Sequence, residues 1–422
     1  MSFRDNWPKM LDGSDFDGKQ LLTLVRTGNS PFDETWDVNL LIREIEENLD
    51  TNVIDIPSVY MGSNNYGFHC KLIKSIGYYS AVGSGDVNMP NYDGFPIQVQ
   101  VPEVKFEVAV YELLRSEPNI LASSLLYYRI PIQYVSPKLD PPKDIAGRRL
   151  FIFEKSGENN IWHCLSPEEQ ACLLTQSAHI RASLFNFSIP LDFAAIWLRE
   201  RLFEQKPKPF PIPVAPTSEF CVALLISKIE ATIKDIGDMI GWEDDNNNTV
   251  GPIAAAAKQT LLRLIPHIIP ADGDQTALYR LVLEHCDFGI HNMSIIRDIL
   301  ATDQPRVTSL YDWETGCIVR AILSDLLMAV TVDLTVKNGV PSIARVSQDI
   351  TPNDYVRSMT WSRQYFKALF NQAPDYKRII QEGKDARHLW FALRDWRGDD
   401  PEGYFGDLGT WAERRMKELN VD

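Results

Sequence analysis

The chain has 422 residues, of which 45% are hydrophobic and 23% charged, an ordinary globular composition on a length that exceeds a single core. Lys and Arg number 42 against 57 Asp and Glu, and the resulting net charge of −15 repels polyanions. Nucleic acid and anionic membrane are therefore not expected partners, whereas a small cationic substrate suits such a surface.

The amino terminus, Met1 to Trp7, is polar and has no apolar signal core, and no later run approaches the ~20 apolar residues of a membrane span. Six scattered cysteines form no C-x-x-C pair, which predicts reduced, mostly buried thiols and a cytoplasmic protein.

Residues 1–50 are expected to be a helical extension, because Leu41, Ile45 and Leu49 recur at helical spacing. Residues 51–154 read as a β-rich lobe with strands at 53–56, 68–82 and 95–101, then a helix over 102–115 bearing Glu107, then strands at 126–134 and 149–154. The turn between the first two strands carries Gly62, Ser63 and Gly67, small residues whose backbone amides can approach phosphate oxygens, although a plain hairpin turn has the same composition.

Residues 155–422 read as mainly helical. Ser166 and Glu169 flank Pro167 as a capping box, and Leu173, Leu174, Ala178, Ile180 and Leu184 give the helix behind it a buried face. The proline-rich segment 207–216 is expected to be a surface crossover, and the acidic run 243–248 an exposed loop. Helices are expected near 353–371, 375–396 and 404–419.

The most informative stretch is Leu283-Glu284-His285-Cys286-Asp287-Phe288-Gly289-Ile290-His291-Asn292, followed by Tyr311-Asp312-Trp313-Glu314. An apolar lead-in to H-x-D-x-x-x-x-N with a second acidic turn downstream supplies what phosphoryl transfer requires. One carboxylate receives or orients the acceptor hydroxyl's proton, and an amide oxygen and another carboxylate hold magnesium against the phosphates. Cys286 has no base placed beside it by this motif and reads as an inert thiol, and His291 as a variable loop position open to substrate contact.

These residues together resemble the aminoglycoside phosphotransferase family, especially its fungal-type members, over roughly residues 50–345. The phrases that carry the resemblance are Phe106-Glu107-Val108-Ala109, Ile152-Phe153-Glu154-Lys155, Ser166-Pro167-Glu168-Glu169, Arg181-Ala182-Ser183-Leu184-Phe185-Asn186, the 283–292 loop and Asp312-Trp313-Glu314. The resemblance implies an α+β, bilobal protein-kinase-like fold with a small antiparallel-sheet N-lobe and a larger, mainly helical C-lobe. It implies ATP and Mg²⁺ as cofactors and a small-molecule hydroxyl as acceptor. It makes Asp287 the catalytic base and Asn292 and Asp312 the metal ligands, with Glu314 a further acidic group. His285 and Asp325 become structural supports of the loop. Backbone groups near Glu154 would meet the adenine, and the turn from Gly62 to Gly67 would cover the phosphates.

Two departures from the family stand out. Its third strand carries a Lys or Arg that contacts the phosphates and pairs with the helix glutamate, and here the strand read at 95–101 has Gln100 in that place. A neutral amide does not replace the charge, so Lys71 on the second strand or Lys105 on the helix would have to supply it. Arg320, where the family more often has proline, reads as a surface arginine. Gln100 also keeps open a pseudokinase that binds a protein partner, and because fold does not fix chemistry a kinase-like fold repurposed for chemistry on a phosphorylated or diphosphate substrate stays open as well.

Overall fold

A computed structural model describes residues 7–421 except 11, 33–36, 62–64, 74–77, 85–96, 132–144, 146–148, 156–160, 202–208, 238–249, 272–275, 298–303, 338, 397 and 399. The chain forms two compact units, Met1–His163 with Asn292–Glu314, and Cys164–His291 with Thr315–Asp422. The expected acidic loop at 243–248 and part of the proline-rich crossover lie outside the described residues. Among the described residues no helix is long and apolar enough to cross a membrane.

The first unit holds helices α1 (Leu21–Arg26) and α2 (Val38–Leu49), strands β1 (Val53–Met61), β2 (Asn65–Leu72) and β3 (Tyr78–Ser84), helix α3 (Ile97–Leu114), and strands β4 (Leu125–Arg129) and β5 (Arg149–Lys155). The strands make one antiparallel sheet in the order β1-β2-β3-β5-β4. Alternation sorts its side chains between two cores. Phe68, Cys70, Leu72, Leu150 and Ile152 pack on one face with Leu21, Leu41 and Ile45 from the first two helices. Phe151 and Phe153 pack on the other face with Val104 and Val108 of α3.

Two strand expectations are corrected. The run 68–82 is two strands, β2 and β3, rather than one. The described part of 95–101 is the opening of α3, not a strand, and the helix expected from residue 102 begins at Ile97. Ile97, Val99 and Val101 alternate with glutamines, which reads as β, and Pro102 removes one backbone donor. The helix nevertheless continues through Pro102: Val104 and Val108, one turn apart, pack on Phe151, and Phe106 and Val110 are buried on the opposite side.

The second unit contains α4 (Pro167–Asn186), α5 (Leu191–Glu200), α6 (Ser218–Thr232), α7 (Pro252–Ile268), α8 (Thr276–Tyr279) and β6 (Leu281–Glu284). The chain then crosses to the first unit for β7 (Met293–Arg297) and β8 (Pro305–Leu310), which pair as a hairpin. It returns for β9 (Cys317–Arg320), β10 (Met328–Ala329), β11 (Asp333–Lys337), β12 (Val340–Ala344), α9 (Pro352–Gln372), α10 (Pro374–Glu382), α11 (Lys384–Asp395) and α12 (Pro401–Glu418). Helix α4 starts with the expected capping box: Ser166 Oγ accepts from Glu169 N–H, and Glu169 accepts from Ser166 N–H. It packs on α9, and α12 packs on α7.

The helix expected over 375–396 is two helices, broken at Gly383. There the backbone passes so close to Ile322 that a Cβ would lie 2.5 Å from its carbonyl oxygen. Arg320 is also corrected. It is fully buried, donates to the carbonyls of Tyr279 at 2.8 Å and Ala215 at 2.6 Å, and lies over the Phe220 ring. Burial lowers its pKa to about 10.

Candidate functional site

In the helical unit, β6 delivers the motif. Its ladder with β9 pairs Glu284 with Cys317, and the chain turns immediately afterward through Cys286, a non-glycine residue at φ +60°. The turn is fixed from several sides. His285 is fully buried and meets Phe288 edge to face, its carbonyl accepts from Thr315 Oγ1 at 3.1 Å, and Phe288 O accepts from Ala329 N–H at 3.0 Å. Arg181 lies over the Phe288 ring and pairs with Glu284 at 3.3 Å, both side chains almost wholly buried. Burial raises the Glu284 pKa to about 6 against the opposing pull of Arg181.

This scaffold leaves the Asp287 side chain 49% exposed, with Oδ2 3.1 Å from Nε2 of His291 four residues on. Arg345 pairs with the buried Asp333 and also feels the Asp287 charge. Asp287 is therefore an accessible carboxylate with an imidazole and a guanidinium acting on it. The Asp325 carboxylate accepts from Arg394 at 2.9 Å and from Leu327 N–H at 3.0 Å, and its carbonyl accepts from Arg181. The six cysteines are free, and Cys286 and Cys317 lie sulfur to sulfur at 3.1 Å, a contact that together with burial raises the Cys286 pKa.

In the sheet unit, Asn292 and Asp312 leave the β7–β8 hairpin at the same end, because Met293 pairs with Leu310 and Tyr311 N–H donates to Asn292 O at 3.1 Å. Asn292 is buried, and Asp312 is half-buried in the left-handed region at φ +65°. Helix α3 reaches this turn: Asp312 N–H donates to Tyr111 Oη at 3.2 Å, and Tyr111 Oη donates to Glu107 Oε1 at 3.4 Å. Arg149, first residue of β5, is ion-paired with Glu314. Glu107 is 5% exposed, and its pKa is pushed up to about 8, first by burial and then by the charges of Asp312 and Glu314, with Arg149 opposing. Burial alone would lower the Arg149 pKa, but Glu314, Glu107 and Glu103 outweigh it and hold the guanidinium above its ordinary value.

An amide oxygen and a carboxylate at one hairpin end suit Mg²⁺, which takes one or two protein oxygens and fills its shell with water and phosphate. Among the described residues no group of three His, Cys, Asp or Glu forms a cage for a metal.

The other expected nucleotide residues are dispersed over the unit. Gly62 and Ser63 lie outside the described residues. Gly67 is within β2, where a Cβ would lie 2.0 Å from the Tyr60 ring. Glu154 has an exposed side chain, and its backbone N–H donates to Ser124 O at 2.9 Å. Lys71 is exposed on β2 between Asp55 and Tyr78, and Lys105 is exposed on α3. Gln100 stands half-buried on α3, while the third strand, Tyr78–Ser84, contains no lysine or arginine. Sequence reading missed Arg149 and Tyr111. Arg149 opens a strand, an unremarkable place for an arginine, and its carboxylate partner is 165 residues away.

No family model matches the chain, and no curated protein matches it. Solved structures similar to it include a Plasmodium vivax ethanolamine kinase (TM-score 0.39, 12% identity, 96% of this chain and 95% of that one). A microcompartment-associated aminopropanol kinase is similar at TM-score 0.38 and 12% identity, covering 90% of this chain and 99% of that one. A spectinomycin phosphotransferase solved with ADP and spectinomycin is similar at TM-score 0.32 and 11% identity, covering 89% and 98%. An aminoglycoside-3'-phosphotransferase of type VIII is also similar, at TM-score 0.33 and 13% identity, covering 81% of this chain and 98% of that one.

Proposed function

We propose that this chain is a Mg-ATP-dependent phosphotransferase that acts on a hydroxyl of a small molecule. The observation that carries the reading is the placement of the two acidic turns. Asn292 and Asp312 leave one end of the β7–β8 hairpin together, and Asp287, five residues before Asn292 in the chain, presents an exposed carboxylate from a turn pinned by buried groups.

The residues divide the work by their surroundings. Asp287 accepts the hydrogen bond of the acceptor hydroxyl and orients its oxygen for in-line attack, and His291 keeps the carboxylate turned outward before the acceptor arrives. Asn292 and Asp312 would hold Mg²⁺, which when bound neutralises phosphate charge. Tyr111 and Glu107 fix the Asp312 backbone in its left-handed turn, so the metal-binding carboxylate is set before any ligand binds. His285 and Asp325 act at one remove, the first by filling the core under the turn and the second through Arg394 and Arg181.

The net charge of −15 favours a cationic acceptor, and dependence on ATP is in keeping with a cytoplasmic protein. A second reading has one observation in its favour: β3 carries no lysine or arginine, as in a pseudokinase that binds nucleotide or a protein partner without transfer. Thermal-shift titration with Mg-ADP, Mg-ATP and Mg²⁺ alone tests the shared premise, since ligand-linked stabilisation follows wherever binding occurs. No nucleotide-dependent stabilisation at millimolar ligand would sink the phosphotransferase reading. ADP release over a panel of amino alcohols, sugars and aminoglycosides then separates transfer from binding alone.

A further inference from the structure

We propose that Cys286 and Cys317 are a modification site, a dithiol that a hydroperoxide converts to a disulfide and that in this oxidised form slows the chemistry at Asp287. The effect on turnover rests on the phosphotransferase reading, whereas formation of the bond does not.

Contact geometry gives the first reason. Both thiols are free, and their sulfurs lie 3.1 Å apart although 31 positions separate them in the chain. The β6–β9 ladder makes the contact, because Glu284, the last residue of β6, pairs with Cys317, the first of β9. Two residues after Glu284 the left-handed turn at Cys286 brings its sulfur to that of Cys317. The chain beside both cysteines is held as well, since Thr315 Oγ1 donates to His285 O at 3.1 Å. A disulfide places its sulfurs at about 2.05 Å, so closure draws the turn about 1 Å toward β9.

Chain topology gives the second. The segment between the two cysteines carries Asp287, Asn292 and Asp312, the residues proposed to act on the acceptor and the metal. It is also the excursion in which the chain leaves the helical unit after His291 and re-enters it at Thr315. A bond from Cys286 to Cys317 closes that excursion at its base in one covalent ring. Asp287 is the neighbour of Cys286 in the chain, and a displacement of about 1 Å at a reacting group can lower a rate by ~10²-fold.

The chemistry gives the third. Cys286 is half-buried and Cys317 buried, so Cys286 meets the oxidant and Cys317 stands behind it as the resolving thiol. The Cys286 thiolate attacks the hydroperoxide, the O–O bond breaks, and Cys286 becomes a sulfenic acid. Cys317 then attacks that sulfur, the S–S bond forms, the S–O bond breaks and water leaves. The dithiol gives up two electrons and two protons, which reduce hydrogen peroxide to water. The contact with Cys317, burial and the charge of Glu284 raise the Cys286 pKa against the pull of Arg394. Thiolate is therefore scarce at neutral pH, and the bond should form faster at pH 9 than at pH 7.

The full chain is treated with hydrogen peroxide, blocked with iodoacetamide, digested and mapped by mass. The expected product joins the peptides of Cys286 and Cys317, weighs two hydrogens less than the two free peptides together, and disappears on reduction with dithiothreitol. Acceptor-dependent ADP release by the oxidised chain should fall about 10- to 100-fold and return on reduction. Cys286→Ser and Cys317→Ala should each lose both the joined peptide and the reversible inhibition, with circular dichroism as the control of folding; should one fail to fold, the other decides. Cys164→Ser, which removes an exposed thiol, should keep both. Recovery of Cys286 and Cys317 as separately alkylated thiols, or as separate sulfinic acids, would overturn the inference. A mapped disulfide with unchanged turnover, or reversible inhibition of the same size in Cys317→Ala, would overturn its hold on Asp287. Absence of acceptor turnover by the reduced chain would count against the phosphotransferase reading, and the mass map then judges the dithiol alone.

Discussion

Glu107 offers a direct test of the network around the Asp312 turn. Its pKa rises from 4.5 to about 8 on folding, chiefly through burial. Between those values the folded chain binds a proton that the unfolded chain has released, so stability falls as pH rises and the loss is complete once the folded group ionises. At about 1.4 kcal/mol per pH unit, the full interval corresponds to a loss of about 5 kcal/mol. Glu107→Gln stays neutral at every pH and escapes the loss. Thermal unfolding of both proteins from pH 5 to 9, with chelator and without nucleotide, should give a difference in melting temperature that widens with pH in favour of the variant. Half of the calculated effect would move the midpoint by about 5–10 °C, taking 2–4 °C per kcal/mol for a domain of 150–250 residues. Other titrating groups, Glu284 among them, are present in both proteins and cancel in the difference. Parallel profiles across the whole range would refute the claim that Glu107 is buried as an uncharged acid.

Asp287→Asn should reduce acceptor-dependent ADP release by about 10²- to 10⁴-fold and leave Mg-ADP binding within a factor of a few; retained turnover would remove Asp287 from the role of proton acceptor. Arg320→Met should destabilise the chain by about 1–3 kcal/mol in denaturant titration, because the buried carbonyls of Tyr279 and Ala215 lose their donor, and no loss of stability would contradict that burial. Gly383→Ala should cost about 1–3 kcal/mol by the same assay, since the added methyl meets the Ile322 carbonyl and the Arg387 guanidinium, and a neutral result would place the α10–α11 junction elsewhere.

The features legible in the sequence are those whose cause is local. The capping box at Ser166 and Glu169 is a contact between residues three apart, and α4 buries the face that its 3.6-residue period marks. The H-x-D-x-x-x-x-N loop stands out in the sequence because the chemistry proposed for it requires fixed residue types at fixed spacing. Side chains whose environment is assembled from distant segments were misread. The helix at 97–101 has strand-like alternation, and the choice is settled beyond it, where Val104 and Val108 pack one turn apart on Phe151. Arg320 looks like a surface residue until Tyr279, Ala215 and Phe220 close around it from three segments.

The sequence by itself determined the chemical groups, two carboxylates and an amide, and the order in which the chain presents them. Only the tertiary structure decided which groups surround them. Glu107, Tyr111 and Arg149 reach the Asp312 turn from α3 and β5, across sequence separations of up to 205 residues. A hydrogen bond or ion pair at that separation leaves no periodic trace in sequence. It exists because strand register and helix packing deliver the two ends to the same place.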